Sequence, residues 1–157
     1  MGPLSGDTLV SLKKGQNMFI GEYTHTVDDK KRISLPSKFR KSVGKKLIVT
    51  RGLDSCLFIY TPEEWKKIAE ELGSGWTKSD QRGIHRFIYG GAQEVGVDSV
   101  GRILISDYLK KFAELKNKVV FAGVHNRIEL WNDQKWSAYK KTMEKRAEEL
   151  SEKLENL

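Results

Sequence analysis

The chain has 157 residues, 38% of them hydrophobic and 10% aromatic, and its formal net charge is +7 because 28 Lys and Arg outnumber 21 Asp and Glu. This composition favours a folded globular protein, and the absence of any apolar run approaching roughly 18 residues excludes a membrane-spanning chain. The excess of cations favours an anionic partner. The only cysteine, Cys56, leaves no partner for an internal disulfide, so we expect a buried core thiol and a cytoplasmic location.

The first seventeen residues differ from the rest of the chain. They begin with small, flexible residues and show no sustained hydrophobic period, so we interpret 1–17 as an expression leader or disordered arm, with Met18 as the natural start. About 140 residues remain, enough for one compact domain or two small fused halves.

The first half, 18–72, is predicted to be mostly β-structure. Aromatic and β-branched residues predict a strand over 18–27, and Thr61, Pro62 and Glu64 form a helix start signal. In chain order we expect a strand over 18–27, a turn over 28–31, a strand over 32–35, a short helix over 37–41, strands over 47–50 and 56–60, and a helix over 61–72.

A linking segment, 73–91, carries a helix from 79, and the second half, 92–143, then repeats the order of the first. We expect a strand over 93–97, a turn over 98–101, a strand over 102–105, a short helix over 106–111, strands over 119–122 and 127–131, and a helix capped by Asn132. We also expect the four Trp residues to lie in the core.

Matching residues recur at a nearly constant spacing between the halves. Asp28 and Asp98, and Arg32 and Arg102, lie seventy positions apart. The spacing rises to seventy-one in the pairs Gly52 and Gly123, Tyr60 and Trp131, and Trp65 and Trp136. So many ordered matches predict a twofold internal repeat of one structural unit.

The last helix continues past the repeat, as an extension over 144–157. Its apolar residues alternate steps of three and four, and they are Trp136, Tyr139, Met143, Ala147, Leu150, Leu154 and Leu157. This a/d seam predicts packing on a helix or sheet. Two alternatives stay open: packing on a neighbouring subunit, or folding back on the helix's own domain.

A basic turn carries the strongest functional signal. Residues 28–46 hold eight Lys and Arg against two Asp. Lys30, Lys31 and Arg32 crowd one turn, and Lys and Arg side chains neutralise phosphates and hydrogen-bond guanine edges. Asp28 would repel phosphate if it faced outward, so we expect it to brace the turn by accepting backbone N–H groups or orienting the arginine. The alternative is an ordinary solvated hairpin.

The duplicated Asp-x-x-x-Arg turn occurs together with Met18-Phe19, the stretch from Tyr60 to Trp65 and Glu129-Leu130-Trp131. Through these residues the chain resembles the MraZ family of bacterial transcriptional regulators over essentially all of 18–157. The resemblance implies an α+β fold in which two AbrB-like (SpoVT-AbrB) halves interleave into one small β-barrel with flanking helices. It also implies a closed homo-oligomeric ring, an octamer being one candidate size, that binds direct repeats in the promoter of the division and cell-wall gene cluster as a repressor.

The resemblance, with the charge pattern, assigns roles to individual residues. DNA-binding residues are expected to be Lys30, Lys31, Arg32, Lys38, Arg40 and Arg102, and motif-bracing residues Asp28, Asp98 and Gly101. Two positions depart from the pattern. Lys31 stands where the family has Gly, which predicts a different backbone conformation for the first turn. Val100 stands where the first copy has Lys30, so the second turn is less basic and its DNA contact is expected to be unequal.

Other functional classes have less support. His25, His85 and His125 lack metal-ligand spacing, and no nucleophile motif or phosphate loop occurs, so we expect no enzyme, metal, cofactor or small-molecule ligand. The expected partners are double-stranded DNA and further copies of the chain, without a membrane, in the cytoplasm on the nucleoid. The alternative function is a structural oligomer whose basic hairpins bind RNA or an acidic protein.

Overall fold

A computed structural model describes residues 18–154, so the interpretation of 1–17 and the seam position Leu157 lie outside the described residues. The described elements follow the predicted order with small shifts of their ends. They are β1 (Phe19–Thr26), β2 (Arg32–Ser34), α1 (Ser37–Arg40), β3 (Lys46–Arg51), β4 (Leu57–Tyr60), α2 (Pro62–Glu71), α3 (Lys78–Ile88), β5 (Gln93–Gly96), β6 (Arg102–Leu104), α4 (Asp107–Phe112), β7 (Lys118–His125), β8 (Arg127–Asn132) and α5 (Asp133–Ser151).

Two helices begin at the predicted caps. The Thr61 hydroxyl accepts the backbone N–H of Glu64 at 3.3 Å, and Pro62 follows as the first helical residue. The Asn132 side chain accepts the backbone N–H groups of Gln134 and Lys135 at 2.8 and 3.1 Å. Each cap satisfies N–H groups that have no partner inside the helix, which is why the helices begin there.

The two halves exchange strands. Six strands form an antiparallel sheet in the order β1-β7-β8-β4-β3-β5, and β2 and β6 pair as a separate two-stranded ribbon. Strand β1 of the first half therefore pairs with the second half's hairpin, and β5 of the second half pairs with the first half's hairpin. The α+β class and the interleaving follow from this order. The six-stranded sheet is open at β1 and β5, so closure into a β-barrel is not confirmed.

A pseudo-twofold axis relates the halves. It passes between Ile33 and Ile103, which face each other at the centre of the β2–β6 ribbon. It also passes between Phe58 and Glu129, which face each other where β4 pairs with β8. In both places a rotation about this axis carries one strand onto its partner, so that equivalent residues of the two halves change places. The duplicated sequence therefore folds as an internal pseudo-dimer.

Strand register corrects one match between the repeats. Leu47 of β3 pairs with Val95 of β5. His25 of β1, the counterpart of Val95, pairs with Val119 of β7. Each residue of β3 therefore corresponds to the residue of β7 that lies seventy-two positions later in the chain. The offset returns to seventy-one only in β4 and β8. The match of Gly52 with Gly123 is therefore wrong, because at an offset of seventy-two Gly52 corresponds to Val124 and Gly123 corresponds to Arg51.

The main core lies between the sheet and the ribbon. Alternate strand residues such as Leu57 and Ile59 point into it, together with Ile33 and Ile103 from the ribbon. The intervening residues Phe58, Tyr60 and Trp131 form a second cluster on the opposite face, against helices α2 and α5. This division follows from the period of two along a strand.

Cysteine and tryptophan burial tests two expectations. Cys56 is buried in the second cluster, as predicted, and desolvation raises the pKa of its thiol. Trp65 and Trp136 pack against the same cluster from equivalent helix positions. Trp76 is 56% exposed beside α3, so the expectation that all four Trp residues lie in the core is wrong.

Helix α5 folds back only at its start. The rings of Trp136 and Tyr139 lie 5.3 and 5.2 Å from the ring of Trp131, and Lys140 Nζ lies 2.8 Å from Glu22 Oε1 on β1. Farther along, Met143 and Leu150 are partly buried, whereas Ala147 is exposed and Leu154 is 59% exposed. The end of the seam at Leu154 is therefore largely uncovered among residues 18–154. None of the helices in this range has both the length and the hydrophobicity to cross a lipid bilayer.

Candidate nucleic-acid interface

The two Asp-x-x-x-Arg turns have the same backbone hydrogen bonds. In the first, the Lys31 N–H donates to the Asp28 carbonyl at 3.0 Å and the Asp28 N–H donates to the Arg32 carbonyl at 2.9 Å. In the second, the equivalent bonds link Gly101, Asp98 and Arg102 at 3.0 Å. Each motif is thus a closed turn that begins at its aspartate and ends at its arginine.

Each aspartate also braces its turn through the carboxylate. Asp28 Oδ1 accepts the backbone N–H groups of Lys30 and Arg32 at 2.9 and 2.7 Å, and its Oδ2 accepts Nε of Arg32 at 2.9 Å. One carboxylate therefore satisfies two turn amides and orients the guanidinium, as a short side chain at a turn start can.

The second carboxylate makes the same contacts. Asp98 Oδ1 accepts the N–H groups of Val100 and Arg102 at 3.0 and 2.8 Å, and its Oδ2 accepts Nε of Arg102 at 2.8 Å. The pKa of both carboxyl groups is lowered, first by the hydrogen bond from the backbone N–H of the motif arginine and further by its guanidinium. Both aspartates are accordingly ionised at neutral pH.

The first turn does not differ from the second in backbone conformation, contrary to the sequence prediction. Lys31 has φ +67° and Gly101 has φ +83°, so both lie in the left-handed region. The turn and carboxylate hydrogen bonds fix this conformation, and they override the preference of a lysine for negative φ. Lys31 therefore holds a strained backbone that glycine would adopt freely.

The ribbon places both motif arginines on one surface. Arg32 faces Leu104 and Arg102 faces Ser34 across the strands, while the central Ile33 and Ile103 point into the core. Because side chains alternate along a strand, these four residues share the outer face. Within residues 18–154, the terminal Nη groups of Arg32 and Arg102 have no protein acceptor, since Asp28 and Asp98 occupy only the Nε positions.

Each turn lies against the short helix of the other half. Arg40 on α1 donates from Nη2 to the Ser99 carbonyl at 2.8 Å, and its Cδ lies 2.5 Å from where a Cβ on Gly101 would be. The Leu35 N–H donates to the Gly101 carbonyl at 2.9 Å. Helix α1, which carries the predicted residues Lys38 and Arg40, thus belongs with the second turn, although the first turn is nearer in the sequence.

The equivalent helix at the first turn supplies cations that the sequence analysis missed. One groove is lined by Lys110 of α4 with Lys30 and Lys31. A second groove is lined by Lys110 and Lys111 with Lys31. Their positions, seventy beyond Arg40 and Lys41, are the signal that could have identified them. Lys110 is partly neutralised by Asp107, whose Oδ1 lies 3.3 Å from its Nζ.

Strand exchange makes the positive charge at the two ends of the ribbon more even than the sequence order suggests. The turn with three cations lies beside α4, whose Lys110 is partly offset by Asp107, and so it does not also receive the cations of α1. The turn with one cation, Arg102, lies beside α1, which carries Lys38 and Arg40. Lys30, Lys31, Lys38 and Arg40 are all exposed. The lower basicity expected at the second turn is thus a property of the turn alone.

The candidate metal ligands among the described residues do not cluster. Within 18–154, no three His, Cys, Asp or Glu side chains gather as a possible metal site. His25 Nδ1 lies 2.6 Å from the Ser34 carbonyl, and His85 Nε2 lies 2.9 Å from the Leu72 carbonyl. Both rings thus connect neighbouring segments of the fold.

Known proteins resemble this chain in sequence over most of its length. A family model described as "MraZ protein" matches residues 18–87 and again 88–157, which confirms the twofold repeat. A relative from Caldanaerobacter subterraneus is 44% identical over 140 residues, 88% of this chain and 98% of its own length. One from Acetivibrio thermocellus is 46% identical over 138 residues, 87% of this chain and 96% of its own length.

A relative from Clostridium tetani is 47% identical over 123 residues, 78% of this chain and 87% of its own length. All three relatives carry the name "Transcriptional regulator MraZ". Two repeat matches spanning 18–157, with relatives this similar over most of their lengths, establish that the chain belongs to the MraZ family.

Proposed function

We propose that the chain is a sequence-specific, DNA-binding transcriptional regulator that contacts DNA with the outer face of the β2–β6 ribbon and its two turns. One observation carries the proposal. Arg32 and Arg102 lie on the same ribbon face, each oriented through Nε by its own aspartate, with the terminal Nη groups unpaired within residues 18–154.

This geometry matches what a DNA groove requires. The major groove admits a two-stranded β-ribbon, and a guanidinium can donate two hydrogen bonds to O6 and N7 of guanine. The surrounding cations are suited to phosphates on either side: Lys30, Lys31, Lys110 and Lys111 at one end, and Lys38 and Arg40 at the other. Under this proposal Asp28, Asp98 and Gly101 keep the turns in shape and do not touch DNA.

The proposal extends to a ring of subunits that binds direct repeats in the promoter of the division and cell-wall gene cluster and represses it on the nucleoid. The phosphate contacts of a single ribbon weaken steeply as the salt concentration rises to physiological levels. Several ribbons on one assembly raise the effective concentration and gain about 10²–10⁴ in avidity. The exposed end of the α5 seam supports assembly through this helix.

We also propose that the ribbon completes a barrel-like enclosure of the core. Strand β1 contacts β2, and β5 contacts β6, so the ribbon lies between the two open edges of the sheet. Ile33 and Ile103 cover the core from that side. This placement supports closure by packing, with the backbone ladders remaining separate.

The test is an electrophoretic mobility shift with DNA from upstream of the chain's own gene. The double variant Lys30→Ala with Arg32→Ala should lose the shift and keep its sedimentation behaviour. The control variant Lys78→Ala with Arg82→Ala removes the same charge from α3, and it should bind like the unmodified protein. Equal binding by both double variants would overturn the assignment of the ribbon.

Competition separates DNA from the alternative partners. Specific DNA binding should weaken steeply with salt and resist an excess of unrelated DNA or of RNA of the same sequence. Displacement by RNA, or by an acidic polypeptide at equal charge concentration, would favour the RNA- or protein-binding oligomer.

A further inference from the structure

The ribbon is pseudo-symmetric in backbone but asymmetric in side chains. Under the twofold axis through Ile33 and Ile103, Arg32 exchanges with Arg102, while Lys30 at one tip exchanges with Val100 at the other. A symmetric surface would bind a given duplex equally well in both directions. The two tips, together with the pair Ser34 and Leu104 on the ribbon face, are therefore the places where this surface can distinguish one direction from the other.

Val100 has no structural role that explains an apolar residue at its position. Its side chain is 52% exposed and lies outside both hydrophobic clusters. The turn uses only its backbone, whose N–H donates to Asp98 Oδ1 at 3.0 Å. Lys30 occupies the equivalent place with the equivalent backbone bond at 2.9 Å, so the turn accepts either side chain.

The chemistry of the major groove offers one apolar partner at a base edge. It is the C5 methyl group of thymine, and the other groups exposed there are hydrogen-bond donors and acceptors. A β-branched side chain beside an oriented arginine is rigid, with one strongly restricted torsion, so it loses little entropy on contact. Lys30, by contrast, suits a phosphate.

We propose that Val100 is a specificity-determining residue that contacts a thymine methyl group next to the base read by Arg102. At the other end of the ribbon, Lys30 contacts a phosphate group of the DNA backbone. Because the two ends make different contacts, each subunit binds its site in one direction. This inference rests on the proposed DNA-binding function and adds to it a base type and an orientation.

The experiment is a double-mutant cycle on the full chain. One member is Val100→Ala, and the other is a duplex from upstream of the chain's own gene, prepared with deoxyuridine in place of thymidine. Burying one methyl group contributes about fourfold in affinity, so Val100→Ala should weaken binding to the thymidine duplex by about fourfold. With deoxyuridine the two proteins should agree within roughly twofold.

The adjacent exposed residue provides the matched control. Ser99→Ala, which keeps the carbonyl that Arg40 binds, should respond to deoxyuridine as the unmodified protein does. Equal losses for Val100→Ala on both duplexes, or no loss on either, would overturn the inference and leave the DNA-binding function intact. Failure of the unmodified protein to bind either duplex would overturn both.

Discussion

Arg40 of the first half donates from Nη2 to the backbone carbonyl of Ser99, in the turn of the second half, at 2.8 Å. The bond joins residues 59 positions apart in the chain. It exists because the halves exchange strands, so that each short helix lies beside the other half's motif. A motif turn and a basic helix from different repeats therefore form one end of the contact surface.

Arg40→Ala should loosen the second turn. The change removes the hydrogen bond to Ser99 and the side-chain stem that packs on Gly101. An exposed bond of this kind contributes on the order of 1 kcal/mol, so the thermal midpoint should fall by a few degrees. DNA affinity should fall as well. Lys41→Ala, on the next exposed position, is the control for lost charge and should leave the midpoint unchanged in differential scanning calorimetry.

Lys31→Gly should change stability and DNA binding in opposite directions. Relief of the left-handed conformation at φ +67° is worth about 1–2 kcal/mol, and the extra backbone entropy of glycine offsets about 0.5–1 kcal/mol. The net gain in the free energy of unfolding should therefore be up to about 1.5 kcal/mol in urea denaturation. Loss of one phosphate contact should make the salt dependence of binding shallower by roughly 0.9.

Gly101→Ala is the mirror experiment in the second turn. Its φ of +83° disfavours any side chain, and the new Cβ would meet Arg40 Cδ at 2.5 Å. Destabilisation should exceed the gain from Lys31→Gly. A neutral effect of both substitutions would contradict the shared left-handed conformation of the turns.

The paired aspartates predict a stability loss in acid. Their pKa values are lowered in the folded protein, so the stabilisation they supply is complete above the unfolded pKa of about 3.9 and disappears as the pH falls through the lower folded values. The double variant Asp28→Asn with Asp98→Asn should therefore melt earlier than the unmodified protein by a constant margin at neutral pH. That margin should shrink below about pH 4. A margin that persists unchanged into stronger acid would show that the carboxylates act without their charge.

Local sequence was sufficient to predict the braced turn, because Asp28 and Arg32 are four residues apart and their hydrogen bonds close within one loop. The contacts of Arg40 and Lys110 required knowledge of the strand exchange, which depends on pairing between distant strands. The conformation of Lys31 was predicted wrongly for a related reason. Residue preference favoured a different turn, while the bonds made by Asp28 outweighed the cost of a strained lysine.

Removal of residues 144–157 should separate assembly from the DNA-binding surface. The start of α5 remains packed through Trp136 and Tyr139, so the domain should stay folded, with a circular dichroism spectrum that loses only the helical signal of the removed end of α5. Loss of the exposed seam should give a smaller particle in analytical ultracentrifugation. Affinity for DNA with several repeats should then fall by about 10²–10⁴ through lost avidity, while affinity for one repeat should stay the same. A particle of unchanged size would refute assembly through this helix, and a loss on single repeats would place the segment in DNA contact itself.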